Sequence, residues 1–504
     1  MIAKVFSIAL TGIDGVPVEV ETDMKQGLPG IQIVGMGNKA VNEARERIRS
    51  AIKHSLLEVP ARKFTINLAP AALPKDGSHF DLALAVSLLV ATGQLQQSEA
   101  DDACFVGELS LDGSLKTVRG AVTIAEATKA ARVSTIYLPV AQASQAALID
   151  GLAVYGIVSL NELFLHLKRV SVLSPTPPPL ETPSQSKINT FSEIIGQEPA
   201  KRALQIAVAG HHHILIIGPP GAGKTVLAEA AQGLLPPMSQ EEQILVTKIK
   251  SVSTDATSVI QTARPFRNPH HSITTTALIG GGAKALPGEI TRAHLGILYL
   301  DELPEFSTAT LEALRQPLES RKIVLARLHY HYTYPADVIL IATMNPCPCG
   351  YYGNVHIACR CSIAERQRYM KRLSGPLLDR IDLIIHVSQV KIELLQRTHM
   401  LHNRQQNKVL YNVVNATQRQ FTRFNSSNRY NTHLTSAEIR TLLSIDGPAE
   451  ALLQTAAKKL MLSARSYFKV LKVAQTIADL EDADMIQTAH VSEALQLRAT
   501  LPET

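Results

Sequence analysis

The octapeptide GPPGAGKT, Gly218 to Thr225, stands between the apolar run ILII and the helix-forming stretch VLAEAAQGLL. A motif of the form G-x-x-x-x-G-K-[ST] requires a strand that feeds a tight glycine turn and then a helix. It therefore commits this part of the chain to a parallel α/β layer. The loop Gly218, Pro219, Pro220, Gly221, Ala222, Gly223, Lys224 and Thr225 is the candidate nucleotide-binding segment. Its backbone N–H groups and the helix N-terminus suit phosphate oxygens, Lys224 suits the β- and γ-phosphates of ATP, and Thr225 suits a Mg²⁺ ion.

Two further apolar runs end in polar side chains. In ILYLDELPEF the strand delivers Asp301 and Glu302 together. Carboxyl ends of parallel strands line the ligand crevice, so both carboxylates can reach the phosphate loop. Asp301 suits the Mg²⁺ shell and Glu302 the polarisation of an attacking water. DVILIATMN ends in Asn345, an uncharged group able to orient that water or sense the terminal phosphate. SGPLLDRIDL presents Arg380 between acids. It reads either as a local ion pair with Asp379 or Asp382, or as an arginine finger for a neighbouring subunit's ATP.

Prolines at 175, 177, 178, 179 and 183 forbid a continuous helix or central strand across SPTPPPLETPSQSK, which divides the 504-residue chain. Residues 1–168 are expected to form an α/β or α+β domain and 169–188 a linker. Within that domain IQIV (31–34), FTINLA (64–69) and CFVGELSL (104–111) read as strands. Asn38 can cap a helix with Val41, Ala44, Ile48 and Ala51 on one face. Residues 189–387 read as the α/β core and 388–504 as a helical lid, with Ser492 capping a last short helix.

A hydrophobic content of 45% and a charged content of 19% belong to an ordinary globular protein. No apolar run reaches the roughly 18 residues that span a bilayer, and the N-terminal stretch shows no signal-type cleavage site. The expected location is the cytoplasm, with no membrane partner. A formal charge of +6 permits nucleic acid binding without arguing for it.

Four of the five cysteines, Cys347, Cys349, Cys359 and Cys361, crowd into CPCGYYGNVHIACRC as C-x-C-x9-C-x-C. Four thiolates at this spacing can surround Zn²⁺ tetrahedrally; reduced thiols or a redox pair are the alternatives. His356 is a further potential ligand, and a basic run of Arg360, Arg366, Arg368, Lys371 and Arg372 adjoins the cluster. Cys104, alone in an apolar run, reads as core packing.

In the order GPPGAGKT, RNPHHS, GGGAKALPGEI, LDELPEF, LRQPLESR, ATMNPCPCG, SGPLLDRID and SARSYFKVLKVAQTIADL, the chain resembles the ComM/YifB family of magnesium-chelatase-like AAA+ proteins over essentially its whole length. The resemblance implies that these segments are the Walker A loop, a helix-2 insert, Walker B, a pre-sensor hairpin, sensor 1, the finger and sensor 2. Arg465, just after the potential cap Ser463, takes the sensor-2 position, which implies that it faces the phosphates from the lid. Phe468, Lys469 and Gln475 depart from the polar or arginine residues expected around it.

The N-terminal region resembles the Lon-protease-like domain of the ribosomal S5 domain 2 type, through NLAPAALPKDGSHFDLALAV and VGELSLDGSLKTVRGAVTIAEA. Where Lon carries its nucleophilic serine and its lysine base, this chain has His79 and Val122. Ser78 lacks an activating lysine, so no protease dyad is expected.

As function, the family resemblance implies a hexameric, ring-forming, ATP-dependent DNA motor that drives branch migration in natural transformation and recombination. Such a motor contacts phosphates without reading sequence. Lys284 in the insert and Arg321, Lys322 and Arg327 on the hairpin are the candidate DNA contacts, weighed against a solvated basic face. The resemblance also extends to the ATPase subunit of magnesium chelatase. An ATP-dependent protease or unfoldase is a third reading.

Overall fold

Alternate residues of the first strands point to one side: Ala3 and Val5 in Ile2–Thr11, and Phe64, Ile66 and Leu68 in Lys63–Ala69, are all buried. The computed structural model describes residues 2–35, 38–71, 73, 75, 77–179, 191, 194–253, 259–282, 285–326, 331–354, 357–389 and 402–498. It assembles these strands into a seven-stranded sheet ordered Gly30–Val34, Lys63–Ala69, Asp14–Lys25, Ile2–Thr11, Ala103–Phe105, Thr135–Pro139 and Ala153–Ile157. The helix Asp81–Ala91 is apolar all round and buried from Leu82 to Val90, as a helix at the centre of a domain must be.

The run 104–111 does not form one strand. After Phe105 the chain turns away, because Gly107 N–H donates to His79 O at 2.9 Å and Leu109 N–H to the Asp81 carboxylate at 3.3 Å. Glu108–Leu109 then pairs with Leu115–Lys116. Cys104 is fully buried, as expected of a packing residue.

The core holds a five-stranded sheet ordered Phe266–Arg267, Ile297–Leu300, Ile339–Met344, Ile214–Ile217 and Leu383–His386, with every pairing parallel. ILII, ILYL and ILIATM are buried at every position, the mark of strands covered on both faces. Ile217 lies opposite both Met344 and His386, and Leu300 opposite Ala342. The strands therefore finish along one edge, and Gly218, Asp301 and Asn345 follow immediately upon their ends. His213, Asp337 and Asp382 precede the same strands and mark the opposite edge.

The lid helices are His402–Phe424, Ser436–Leu442, Gly447–Lys459, Ala464–Leu480 and Thr488–Gln496. Val413, Ala449, Val470 and Ile477 join the same hydrophobic cluster as Ile214 and Ile341 of the sheet. Ser463 does cap its helix, accepting from Ser466 N–H at 3.2 Å. Ser492 does not: the last helix begins one turn earlier at Thr488, with Gln487 in the cap position, and the Ser492 hydroxyl donates back to Thr488 O at 2.9 Å.

The N-terminal domain is fastened to the core. Ile13, at the tip of the first hairpin, is buried in the core cluster with Tyr334, and Gly120 N–H donates to Ser251 O at 2.8 Å. Lys248 pairs with Asp14 at 3.3 Å and Glu126 at 2.6 Å. Among the described residues, no helix is long and apolar enough to cross a membrane.

Candidate nucleotide site and cysteine knuckle

The helix Lys224–Gln232 starts at the loop, so its free N–H groups face the edge where the strands end. Gly221 and Gly223 hold φ of +76° and +79°, left-handed values that let the backbone fold round a phosphate. Lys224 Nζ donates to Gly218 O at 2.6 Å, Pro219 O at 3.2 Å and Asn345 Oδ1 at 2.9 Å, which ties the loop to the end of the neighbouring strand. Burial lowers the Lys224 pKa from its ordinary value, and the Asp301 and Glu302 carboxylates oppose that shift.

Tyr299 and Thr343 are polar residues inside apolar strands, and sequence reasoning passed over both. The Thr343 hydroxyl donates to Asp301 and accepts from Glu302 N–H at 3.2 Å, so one side chain fixes both acids. The Tyr299 hydroxyl donates to Thr225 Oγ1 at 3.2 Å, and burial pushes its pKa up. The available signal was a lone hydroxyl in each of ILYL and ILIATM. Glu302 adopts φ 52° and ψ 53°, a left-handed conformation that costs a non-glycine residue about 1–3 kcal/mol and concentrates at functional sites. Gln197 and Gln389, also unforeseen, donate to Ala222 O at 3.3 Å and Pro220 O at 3.2 Å from the outer side of the loop.

The two candidate arginines stand elsewhere. Arg380 donates from Nε to Arg315 O at 2.9 Å and pairs through Nη2 with Glu319. Arg465 pairs with the same Glu319 at 3.2 Å. Of the two partners foreseen for Arg380, neither Asp379 nor Asp382 is the one used. Both arginines line a cavity of about 580 Å³ between core and lid together with His213, Asp337 and Asp382, the residues that precede the strands. Lys224 and Asn345 follow the strands. Within one chain Arg465 thus lies at the opposite sheet edge from the phosphate loop, not over it.

Arg321, expected among the DNA contacts, turns into that same cavity, its Nε 3.5 Å from Asp337 and its Nη2 donating to Thr432 O at 3.3 Å. Lys322 is exposed on the strand Lys322–Ala326. Lys284, Arg327 and His356 lie outside the described residues.

The four cysteines converge. Sγ separations are 3.3 Å for Cys347–Cys349, 3.7 Å for Cys347–Cys359 and 3.6 Å for Cys349–Cys359, and all four sulfurs fall within 4.8 Å of one another. Four thiolates at a Zn–S distance of about 2.3 Å stand about 3.8 Å apart in a tetrahedron, so the donor set fits zinc. Tyr352 N–H donates to Cys347 Sγ at 3.3 Å and Cys349 N–H to Cys361 Sγ at 3.4 Å, contacts that stabilise sulfur carrying negative charge.

In the N-terminal domain the Lon-like corner is closed. His79 is buried with its Nε2 3.1 Å from Ile8 O, and burial lowers its pKa to about 4. Val122 is fully buried in an apolar cluster. Ser78 donates to Glu108, an acid that supplies no lysine-type activation.

A parallel sheet carrying a phosphate loop, an acid pair at the strand end two places away and a polar side chain, Asn345, at the end of the strand between them defines a P-loop ATPase of the AAA+ type, here with a helical lid and a preceding Lon-like domain. Family models agree: "Magnesium chelatase, subunit ChlI" matches residues 190–395, "Subunit ChlI of Mg-chelatase" residues 20–142, and "Magnesium chelatase, subunit ChlI C-terminal" residues 403–498. The chain is 42% identical to YifB of Escherichia coli (strain K12) across 97% of its length and 96% of that protein. It is 39% identical to competence protein ComM of Haemophilus influenzae, across 99% and 97%. A shorter match to Lon protease 2 of Bacillus subtilis, 30% identical, spans 30% of this chain and 29% of that one. The protein belongs to the ComM/YifB family of magnesium-chelatase-like AAA+ ATPases.

Proposed function

We propose that the chain is the subunit of a hexameric ring that hydrolyses ATP to ADP and phosphate and uses the energy to move DNA strands, a branch-migration helicase of natural transformation and homologous recombination. The observation that carries the ring is the placement of Arg380 and Arg465. They share Glu319 at the sheet edge opposite Lys224 and Asn345, so neither can serve the phosphate loop of its own chain in this arrangement. A neighbour's loop is their natural target, and one head-to-tail contact repeated six times closes a ring.

In that ring Gly218 to Thr225 hold the triphosphate and Glu302 accepts a proton from the water that attacks the γ-phosphorus as the bond to ADP breaks. Asn345 orients the water, and the neighbour's Arg380 and Arg465 meet the charge that builds on the transferring group. Thr225 and Asp301 would hold Mg²⁺, which when bound neutralises phosphate charge. Cys347, Cys349, Cys359 and Cys361 hold a structural Zn²⁺.

The DNA assignment draws on the relative named for competence, matched across 99% of this chain, and on basic residues at the pre-sensor hairpin and insert. Lys322, Lys284 and Arg327 are the contacts we assign; the side chain of Arg321 is committed to Asp337. The test is ATPase and strand exchange on forked and four-way DNA beside Lys224→Ala and Glu302→Gln. DNA-stimulated hydrolysis supports the reading, and a wild-type protein indifferent to all DNA sinks it. The matched chelatase models favour a second reading, a metallochelatase motor, which porphyrin-dependent ATPase would reveal. The closed corner around His79 and Val122 weighs against a protease.

A further inference from the structure

We propose that the cysteine knuckle is a strut of the nucleotide pocket, holding the phosphate loop through Gly350 and the sensing Asn345 through Cys347. The inference rests on the zinc reading above and extends it from a structural site to a determinant of nucleotide affinity.

Asn345 and Cys347 are two residues apart at the end of the strand Ile339–Met344, and Cys347 is fully buried. Whatever fixes Cys347 therefore fixes the backbone from which Asn345 reaches Lys224 Nζ at 2.9 Å. The next turn closes through Gly350 N–H to Cys347 O at 2.9 Å and brings Gly350, at φ +82°, onto the loop itself. A Cβ at Gly350 would lie 2.6 Å from Pro220 Cδ and 3.2 Å from Pro220 Cγ, and 3.9 Å from Asn345 Cγ. Knuckle backbone and phosphate-loop proline are thus in direct contact. Pro220 is held on its carbonyl side by Gln389 at 3.2 Å, so the loop is gripped from two directions.

The knuckle has two limbs, one carrying Cys347 and Cys349 and the other Cys359 and Cys361. The second limb runs into the helix Ile363–Met370, and Arg366 of that helix stacks over Tyr352 of the first limb at 4.0 Å. Four-thiolate closure locks the limbs together and so sets how firmly Gly350 presses on Pro220. Gly353 supplies an internal contrast. It has the same handedness, φ +77°, in the same knuckle, but a Cβ there would meet nothing within 4 Å. Substituting either glycine by alanine strains the backbone alike; only Gly350→Ala also pushes on the loop.

The experiment measures metal by atomic emission and affinity by mant-ADP fluorescence titration on the full chain. Gly350→Ala and Gly353→Ala should both keep wild-type zinc. Gly350→Ala should bind mant-ADP about tenfold more weakly, the equivalent of about 1.4 kcal/mol, with Gly353→Ala within about twofold of wild type. The double variant Cys359→Ser/Cys361→Ser should lose zinc and at least as much affinity while retaining its helical circular dichroism. Wild-type binding by zinc-loaded Gly350→Ala, equal weakening by Gly353→Ala, or wild-type binding by the folded zinc-free variant overturns the strut. A wild-type protein that purifies without zinc overturns the zinc reading instead.

Discussion

The phosphate-loop edge of the core and the His79–Asp81 corner of the N-terminal domain both place polar residues where a buried element begins or ends, but only one leaves them accessible. Lys224, Thr225, Asp301 and Asn345 are half-buried and Glu302 is exposed, so each can exchange its present partner for phosphate, metal or water. At the N-terminal corner His79 is committed to Ile8 O, Asp81 to Arg47 and Leu109 N–H, and Val122 to the core. A site does chemistry only while its ionisable groups keep access and spare valence. The second corner has become packing, and its residues should report on stability where those of the first report on turnover.

Four measurements would break or sharpen that contrast. Arg380→Ala should lower kcat for ATP by about 10³-fold or more with nucleotide binding retained, since a finger acts on the transition state. Glu302→Gln should cost about 10³-fold in kcat, again with ATP still bound, because the amide accepts no proton. Glu302→Gln should leave the urea midpoint where it is, because Glu302 is exposed, whereas Arg380→Ala also removes the bonds to Arg315 O and Glu319 and is read per folded molecule. The N-terminal corner should behave oppositely. Arg47→Ala leaves the fully buried Asp81, paired at 2.7 Å, without its cation, and urea titration should show a loss of about 3 kcal/mol.

The smallest effect concerns acid. The His79 pKa is about 4 in the fold through burial and about 6.5 unfolded. The unfolded chain binds the proton first, so this contribution is full above pH 6.5 and disappears as pH falls towards 4. At pH 5 the loss is about 2 kcal/mol, and His79→Gln should flatten that part of the urea-stability profile. A change in ATPase per folded molecule in Arg47→Ala or His79→Gln would show that the corner is not merely packing.

Much of the nucleotide site was legible because its parts are local. A loop after one strand and acids or amides after two others meet wherever a parallel sheet aligns strand ends, so Lys224, Asp301, Glu302 and Asn345 could be brought together from sequence alone. Tyr299 and Thr343 escaped because a single hydroxyl in an apolar strand looks the same whether it packs or positions a carboxylate. The separation of Arg465 from its own phosphate loop depends on how the lid packs against the core, a tertiary choice that no local pattern encodes. Arg321 shows the same limit: adjacent to a hairpin in sequence, it is turned by a left-handed φ of 54° towards Asp337. The break after Phe105 likewise follows from hydrogen bonds to His79 and Asp81 across the domain.

The dependence of each site on a neighbour is best judged by mixing two inactive proteins. Glu302→Gln has a silent site but an intact Arg380, and Arg380→Ala has the reverse. If the finger acts across a subunit boundary, co-assembled rings contain sites with a working Glu302 beside a working Arg380, and the mixture should hydrolyse ATP well above the sum of its components. A mixture that stays at that sum, although the two proteins co-assemble, would contradict the ring-completed site.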